Sequence, residues 1–467
     1  MRPSNVGARH ELRRVLGRAP AATGQLAAAL GVSLPSLHRM LNELGGELVS
    51  SGSTRNRKHA LRRLLRGTDS TIPVYSVDAE GRAASQEPIE LIQPEGCLAR
   101  LAPAVWPAAR ENDGWWEGLP YPLYDMRPQG YLGRIVARSV ARQLHVSDNP
   151  DAWSDDDVLY WLVQHGSDQP GNLIVGEQAI QAWNRQLGRG LADIVAGSET
   201  PERYVEFAEA SLNQGVAGSS AGGEFPKFTA ARDLHDADTP HVIVKFSGSE
   251  NSAAVRRWSD LLIAEHLALE AIRQCMAGHR VARSRILIHG GRTFLESERF
   301  DRHGEFGRSP VATLTVVDAA LIGTSETAWP KIMRSPAARS LFPPAVIDRA
   351  EELWWFGRFI ANSDMHKGNL TFRPRGDHFD LAPAYDMLPM HYAPLRAGEV
   401  PSHVFDTATL PLPPRGREAD WHRVVDAARV FWRSASEDVR IGESFRAICA
   451  ENGRLLQRWS EAWRPES

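Results

Sequence analysis

Hydrophobic and polar positions alternate with a period of two along "HVIVKFSG" (residues 241–248), predicting a strand with Val242, Val244 and Phe246 on one face and Ile243 and Lys245 on the other. A lysine on so apolar a strand needs a partner or a cleft. In "SDLLIAEHLALEAI" the period becomes helical, and Leu261, Glu265, Ala268 and Ile272 fall on one stripe, so Glu265 interrupts an apolar face. Lys245 and Glu265 are then either an ion pair or a snorkelling lysine and an edge carboxylate. Near the N-terminus, "TGQLAAALGVSLPSLHRMLNELG" predicts a helix from Gln25 to Leu30, a turn at Gly31 and Ser33, and a second helix to Leu44 stopped by Gly45. Ser33 suits the N-cap and Pro35 the first turn. Leu34, Leu37, Leu41 and Leu44 form the packed face, leaving Ser36 and Arg39 outward with His38 beside them. "ELVSSGSTRNRKHALRR" follows as strand, basic loop and strand. "STIPVYSVDAEG" and "PIELIQPEG" predict further strands, "YPLYDMRPQGYLGRIVARSVARQL" leads from a loop into a helix, and "LVQHGSDQPGNLIVG" ends in an apolar strand. Trp106, Trp115, Trp116, Trp153, Trp161 and Trp183 in this stretch are expected in the core, and beyond residue 400 a proline-rich connector precedes C-terminal helices that Trp421 and Phe431 help to close.

Composition narrows the choices only slightly. At 467 residues the chain has room for roughly three domains of ~150 residues. No run approaches the ~20 apolar residues of a membrane helix, and "MRPSNVGARHELRR" holds no signal-like apolar segment, so a cytoplasmic protein without membrane partners is expected. Cys97, Cys275 and Cys449 form no CxxC pair and are expected as reduced core residues. Charge is more informative once divided: residues 1–67 hold twelve basic against three acidic groups, +9, and with −3 for the whole chain the remainder carries −12. A basic head on an acidic body suggests one part that meets a polyanion. The two helices and tight turn suit a major-groove reader, and the following strand pair suits a wing whose Arg55, Arg57 and Lys58 touch phosphates. The plainer alternative is a helical interaction module with a solvated basic face.

Three stretches carry candidate chemistry. In "GVAGSSAGGEFPKF" (215–228), Gly215, Gly218, Gly222 and Gly223 let the backbone approach phosphate oxygens with Lys227 nearby, although such runs also serve as linkers. The Lys245 and Glu265 pair is the second. The third is "FIANSDMHKGNLTF" (359–372) with "HFDLAPAYDMLP" after it. Phosphoryl transfer needs a carboxylate for the attacking hydroxyl and oxygen ligands for Mg²⁺; Asp364 fits the base, Asn369 and Asp386 the ligands, and His366 a hydrogen bond that holds Asp364 or Asp386. The order glycine loop, Lys, Glu, Asp, Asn, Asp is that of the kinase fold. Rival readings are a small-molecule phosphotransferase, a DNA-binding regulator whose kinase body only senses nucleotide, and a hydrolytic metal centre of Asp364, His366, His378 and Asp386.

"ESERFDR" (296–302), "NSDMHKGNLTF" (362–372), "LAPAYDMLP" (381–389) and "YDMRPQGYLGR" resemble the HipA family of serine/threonine kinases, the toxin half of HipBA toxin–antitoxin systems. The helix-turn-helix on the same chain makes it more similar to the HipH (YjjJ) branch. The resemblance covers roughly residues 70–460 and implies an α+β, two-lobed protein-kinase-like fold after a winged helix-turn-helix. Its divisions are 1–66, a DNA-binding head; 67–305, the N-terminal subdomain and nucleotide lobe; and 306–467, the helical lobe. It implies ATP and Mg²⁺ as cofactors, protein substrates that in better-known members are aminoacyl-tRNA synthetases, and leaves room for a HipB-like antitoxin. On that pattern Asp364 is the base, Asn369 and Asp386 the metal ligands, Lys245 the phosphate lysine, and Glu298, Arg299 and Phe300 the hinge near adenine. It also implies autophosphorylation of the glycine loop at Ser220, with Ser219 as neighbour, beside Gly218, Gly222 and Gly223. Two departures stand out: Phe225-Pro226-Lys227 where the family often has Gln-Pro-Lys, and Gly368 before Asn369 where a lysine is usual, with Lys367 one position early.

Overall fold

The computed structural model describes residues 5–53, 57–107, 113–191, 194–214, 225–233 and 237–463. Helices Asn5–Leu16, Thr23–Leu30 and Leu34–Leu44 pack around Leu12, Leu16, Leu26, Leu37, Met40, Leu41 and Leu44. Gly31 turns the chain between the second and third helix in the left-handed region (φ +60°), and Ser33 Oγ accepts the Ser36 N–H at 3.4 Å to cap the third. Leu34 does not join the buried stripe as expected. It is 51% exposed, and Met40 takes its place in the buried cluster. Strand Leu48–Ser51 pairs antiparallel with Lys58–Leu61, which also pairs with Ala21–Ala22.

Three basic residues at the end of this head, Arg62, Arg63 and Arg66, face the body instead of solvent. Arg63 grips Asp156 through two 2.7 Å hydrogen bonds, Arg62 pairs with Glu90 and Arg66 with Asp157. The next sheet has the order Trp115–Trp116, Cys97–Leu98, Ala83–Leu91, Thr71–Val77 and Leu173–Val175, flanked by helices Gly130–Leu144, Asp155–His165 and Glu177–Arg189. Trp106, Trp115, Trp153, Trp161 and Trp183 are buried and Trp116 is half-buried.

A second five-stranded sheet has the order Ser284–His289, Arg292–Glu298, His241–Phe246, Lys227–Arg232 and Ile194–Val195. Val242, Val244 and Phe246 enter one small core with Tyr204, Phe228 and Phe294. The opposite face meets the long helix Ala253–Cys275, whose Leu261, Glu265, Ala268 and Ile272 are all buried. Helices Pro344–Phe359, Glu418–Glu437 and Glu443–Ala462 build the remaining body, with Trp421 and Phe431 buried. One apolar cluster extends from Leu65 to Leu456, so the first sheet, the long helix and the C-terminal helices share a core. The cysteines are free, with Cys97 and Cys449 buried; Cys275 is only half-buried, at the end of its helix. No described helix is long and apolar enough to cross a membrane.

Candidate phosphotransfer site

Strand geometry places Lys245 opposite Lys227 in the antiparallel ladder, which puts both on one face. The Lys245 ammonium donates to Glu265 Oε1 and Oε2 at 2.8 and 2.7 Å and also pairs with Asp386 Oδ1. Burial alone would drive the Lys245 proton off, but Asp386 and Glu265 outweigh it and hold the amine well above its ordinary value. The same burial raises Glu265 to about 7 against the attraction of Lys245, with the Asp386 charge adding to the rise. Asp386 goes the other way: Lys245 and then Lys227 overcome the burial cost and keep its carboxyl below the usual range. The site thus presents two lysines and a carboxylate held ionised, which suits phosphate oxygens and a divalent cation.

The loop after helix Pro344–Phe359 is fixed by backbone and amide contacts. Ala361 (φ +57°) and Asp386 (φ +54°) both adopt the left-handed region, at a cost on the order of 1 kcal/mol each for a residue with a Cβ. Asn362, 1% exposed, joins them: its Oδ1 accepts the Asp364 N–H at 3.0 Å and its Nδ2 donates to the Asp386 carbonyl at 3.2 Å. Asn369 Nδ2 donates to the Asp364 carbonyl at 2.9 Å. The Asp364 side chain is 51% exposed, open to an incoming hydroxyl. Tyr385 ties the loop to the strand behind it, donating to the Gly368 carbonyl at 2.7 Å and sharing a hydrogen bond with Thr371 Oγ1 at 2.7 Å.

Some expected residues lie elsewhere. His366 does not hold Asp364: its Nδ1 accepts the Gly368 N–H at 3.0 Å, leaving Nε2 4.0 Å from Asp364 Oδ1, beyond a hydrogen bond. His378 turns to Asp377 at 2.8 Å, and among the described residues no three His, Cys, Asp or Glu side chains gather as a metal site. The hydrolytic metal centre therefore lacks its fourth member. Arg299 directs its guanidinium to Asp301 and Asp168 at 3.1 and 3.3 Å, which commits that side chain to a buried ion-pair cluster, while Glu298 lies 3.6 Å from Arg232. Phe300 rests against Tyr385 with ring centroids 5.6 Å apart. Gly218, Ser219, Ser220, Gly222 and Gly223 lie outside the described residues. Asn362 and Tyr385 are not among the sequence-predicted site residues; an asparagine three residues after the apolar helix Pro344–Phe359 is the available signal.

Residues 68–184 match the family model described as YjjJ-like toxin, middle domain, and residues 219–457 the HipA-like C-terminal domain. The chain is 36% identical to Toxin YjjJ of Escherichia coli (strain K12) over 97% of its own length and 98% of that protein's. This chain belongs to the HipA-like family, in its YjjJ branch. Solved structures with some likeness are HipA from the Shewanella oneidensis MR-1 complex of HipA, HipB and operator DNA, and the Helicobacter pylori proinflammatory kinase CtkA. The first is 15% identical, covering 73% of this chain and 85% of that one at a TM-score of 0.42. The second is 11% identical, covering 52% and 92% at 0.35.

For a HipA-like chain the two sequence departures now have physical accounts. Phe225 is buried edge-on against Trp258, centroids 4.7 Å apart, and its ring lies 5.8 Å from the Lys245 ammonium, so it covers that lysine. Lys367 reaches back to the buried Asp318 at 2.7 Å. At position 368 a Cβ would approach His366 Cε1 to 2.9 Å, so glycine is what allows the histidine to fold over the loop.

Proposed function

We propose that this protein is an ATP- and Mg²⁺-dependent serine/threonine protein kinase of the HipA toxin type, with residues 67–305 and 306–467 as its nucleotide and catalytic lobes. The observation that carries the reading is Lys245 bonded to both Glu265 and Asp386, with Asn362 linking Asp386 to the Asp364 loop. Lys245 and Lys227 orient phosphate oxygens, Asn369 and Asp386 would hold the cation, and Glu298 to Phe300 border the base. The cation, when bound, offsets the negative charge that develops on the transferred phosphoryl group. Asp364 orients the substrate hydroxyl and takes its proton as that oxygen attacks, and the partial exposure of its carboxylate suits a protein substrate presented from solvent. An aminoacyl-tRNA synthetase is the substrate class that the family suggests. Autophosphorylation at Ser220 or Ser219 would add about −2 charge that competes with the ATP phosphates. With [γ-³²P]ATP, Mg²⁺ and cell extract, we expect label on the chain or on one extract protein, reduced about 100-fold or more by Asp364→Ala and by Asp386→Ala. Tight ATP binding with no transfer would turn the reading to a nucleotide-sensing regulator.

Residues 1–66 are proposed as a winged helix-turn-helix that binds operator DNA in the cytoplasm, with or without a HipB-like antitoxin. Exposed His38 and Arg39 on the third helix and exposed Arg57 and Lys58 beside the strand pair support it; Ser36 Oγ is shared with Ser33 Oγ at 3.0 Å, and Arg55 lies outside the described residues. Affinity for DNA should fall with a log–log salt slope of roughly −0.9 per phosphate contacted. A salt-insensitive affinity, or one unaltered by combined Arg39→Ala, Arg57→Ala and Lys58→Ala, would rule out the head as the reader.

A further inference from the structure

A cavity of about 650 Å³ lies between helix Glu177–Arg189, strands Lys227–Arg232 and His241–Phe246, and the hairpin of Arg302–His303 with Gly307–Arg308. Lys245, Asp364 and Asp386 do not line it. Its wall carries three exposed arginines, Arg185, Arg189 and Arg203, and three buried ones, Arg299, Arg302 and Arg308 at 8%, 3% and 5% exposure. The buried set is not neutral. Asp168 and Asp301 pair with Arg299 and Arg302 at 2.6 to 3.3 Å, leaving Arg308 as a third guanidinium, 4.0 Å from Asp168. Arg308 Nη2 donates to the Ser167 carbonyl at 2.6 Å, whereas its buried Nη1 has no hydrogen-bond partner. Burial and then repulsion from Arg302 pull its pKa down to about 9. A surplus buried cation destabilises the protein by itself, and an anion beside the arginines offsets it. Trp183, Phe207 and Phe306 supply apolar wall, and the volume lies in the range of small-molecule sites.

We infer that this cavity binds a small phosphorylated organic molecule of nucleotide size, with its phosphate on Arg308 and its organic part against Phe306 and Trp183. Arginine forks suit phosphate oxygens, and the exposed Arg185 and Arg189 draw the anion in. The site stands on its own residues and does not depend on kinase activity. The cavity shares Arg299 with the segment proposed to border the adenine.

The test is calorimetric titration of the full chain with AMP, with pyrophosphate, and with adenosine as the phosphate-free control. We expect saturable binding of the two phosphates, weaker by about tenfold or more in Arg308→Met and in Arg185→Ala/Arg189→Ala, and retained in Lys245→Met. The exposed double variant keeps the test decisive if the buried Arg308 variant fails to fold. Phosphate binding that is lost in Lys245→Met but kept in the arginine variants, or no saturable binding at millimolar AMP, overturns the inference.

Discussion

Asn362 illustrates how a single buried amide decides geometry at the residue scale. It makes one hydrogen bond to each of the two acidic segments, so its loss leaves two polar groups to rearrange around a loop already held at positive φ. We expect Asn362→Ala to lower phosphotransfer by about 100-fold while ATP binding changes little, since a misplacement near 1 Å is that costly; equal losses in binding and turnover would instead indicate a general structural role. Glu265 gives a pH prediction. Its folded pKa, raised to about 7 chiefly by burial, exceeds the unfolded value, so the folded state binds more protons between pH ~4.5 and ~7. The stability it contributes is fully present below that window and is lost as pH rises through it. Thermal melts from pH 5 to 8 should show this decline, and Glu265→Gln should flatten it; an unchanged slope in the variant would sink the assignment.

At the scale of elements, the head depends on a short helix pair and a two-strand ribbon. Leu37 is fully buried there, so Leu37→Ala should cost about 2–5 kcal/mol, and Ser33→Ala about 1 kcal/mol through loss of the cap, both measured as denaturation of the head. His59 lies in the ribbon, hydrogen-bonded to Thr23 Oγ1 at 3.0 Å and Ser50 Oγ at 2.7 Å, and burial, aided by Arg57 and His38, lowers it to about 4. The ring is neutral in the fold, so its contribution is present above pH ~6.5 and lost as pH falls through about 4. An NMR titration of the ring with a midpoint near 6.5 in the folded protein would contradict this.

For the whole molecule, the shared core from Leu65 to Leu456 and the helical head cluster set the cooperativity, with Val49 and Ala60 of the ribbon packed against Ile92, Leu98 and Trp115 of the body. Calorimetry should show one transition for the body and a distinct one for the head, with Leu37→Ala shifting only the latter; movement of both would mean a single cooperative unit. Arg63 and Asp156, joined by paired hydrogen bonds and partly buried, anchor the head to the body. Arg63→Ala should therefore raise protease cleavage between the head and the first sheet several-fold.

Periodicity sufficed wherever the chain's own local physics decides the outcome. The alternation around Lys245, the helical stripe with Glu265 inside it, and the Ser33 cap with its Gly31 turn were all legible because backbone sterics and one-sided burial act within a few residues. The order of Lys245, Glu265, Asp364, Asn369 and Asp386 likewise named the candidate site, and the family followed from the same motifs. Tertiary structure alone decided what depends on approach between distant segments. It turned Leu34 outward, folded His366 over Gly368, committed Arg299 to Asp301, tied Arg62, Arg63 and Arg66 to the body, and gathered the arginines around Arg308. Coulombic pairing and burial depend on distances of a few ångströms between residues up to a hundred or more positions apart, and a linear pattern carries no measure of those distances.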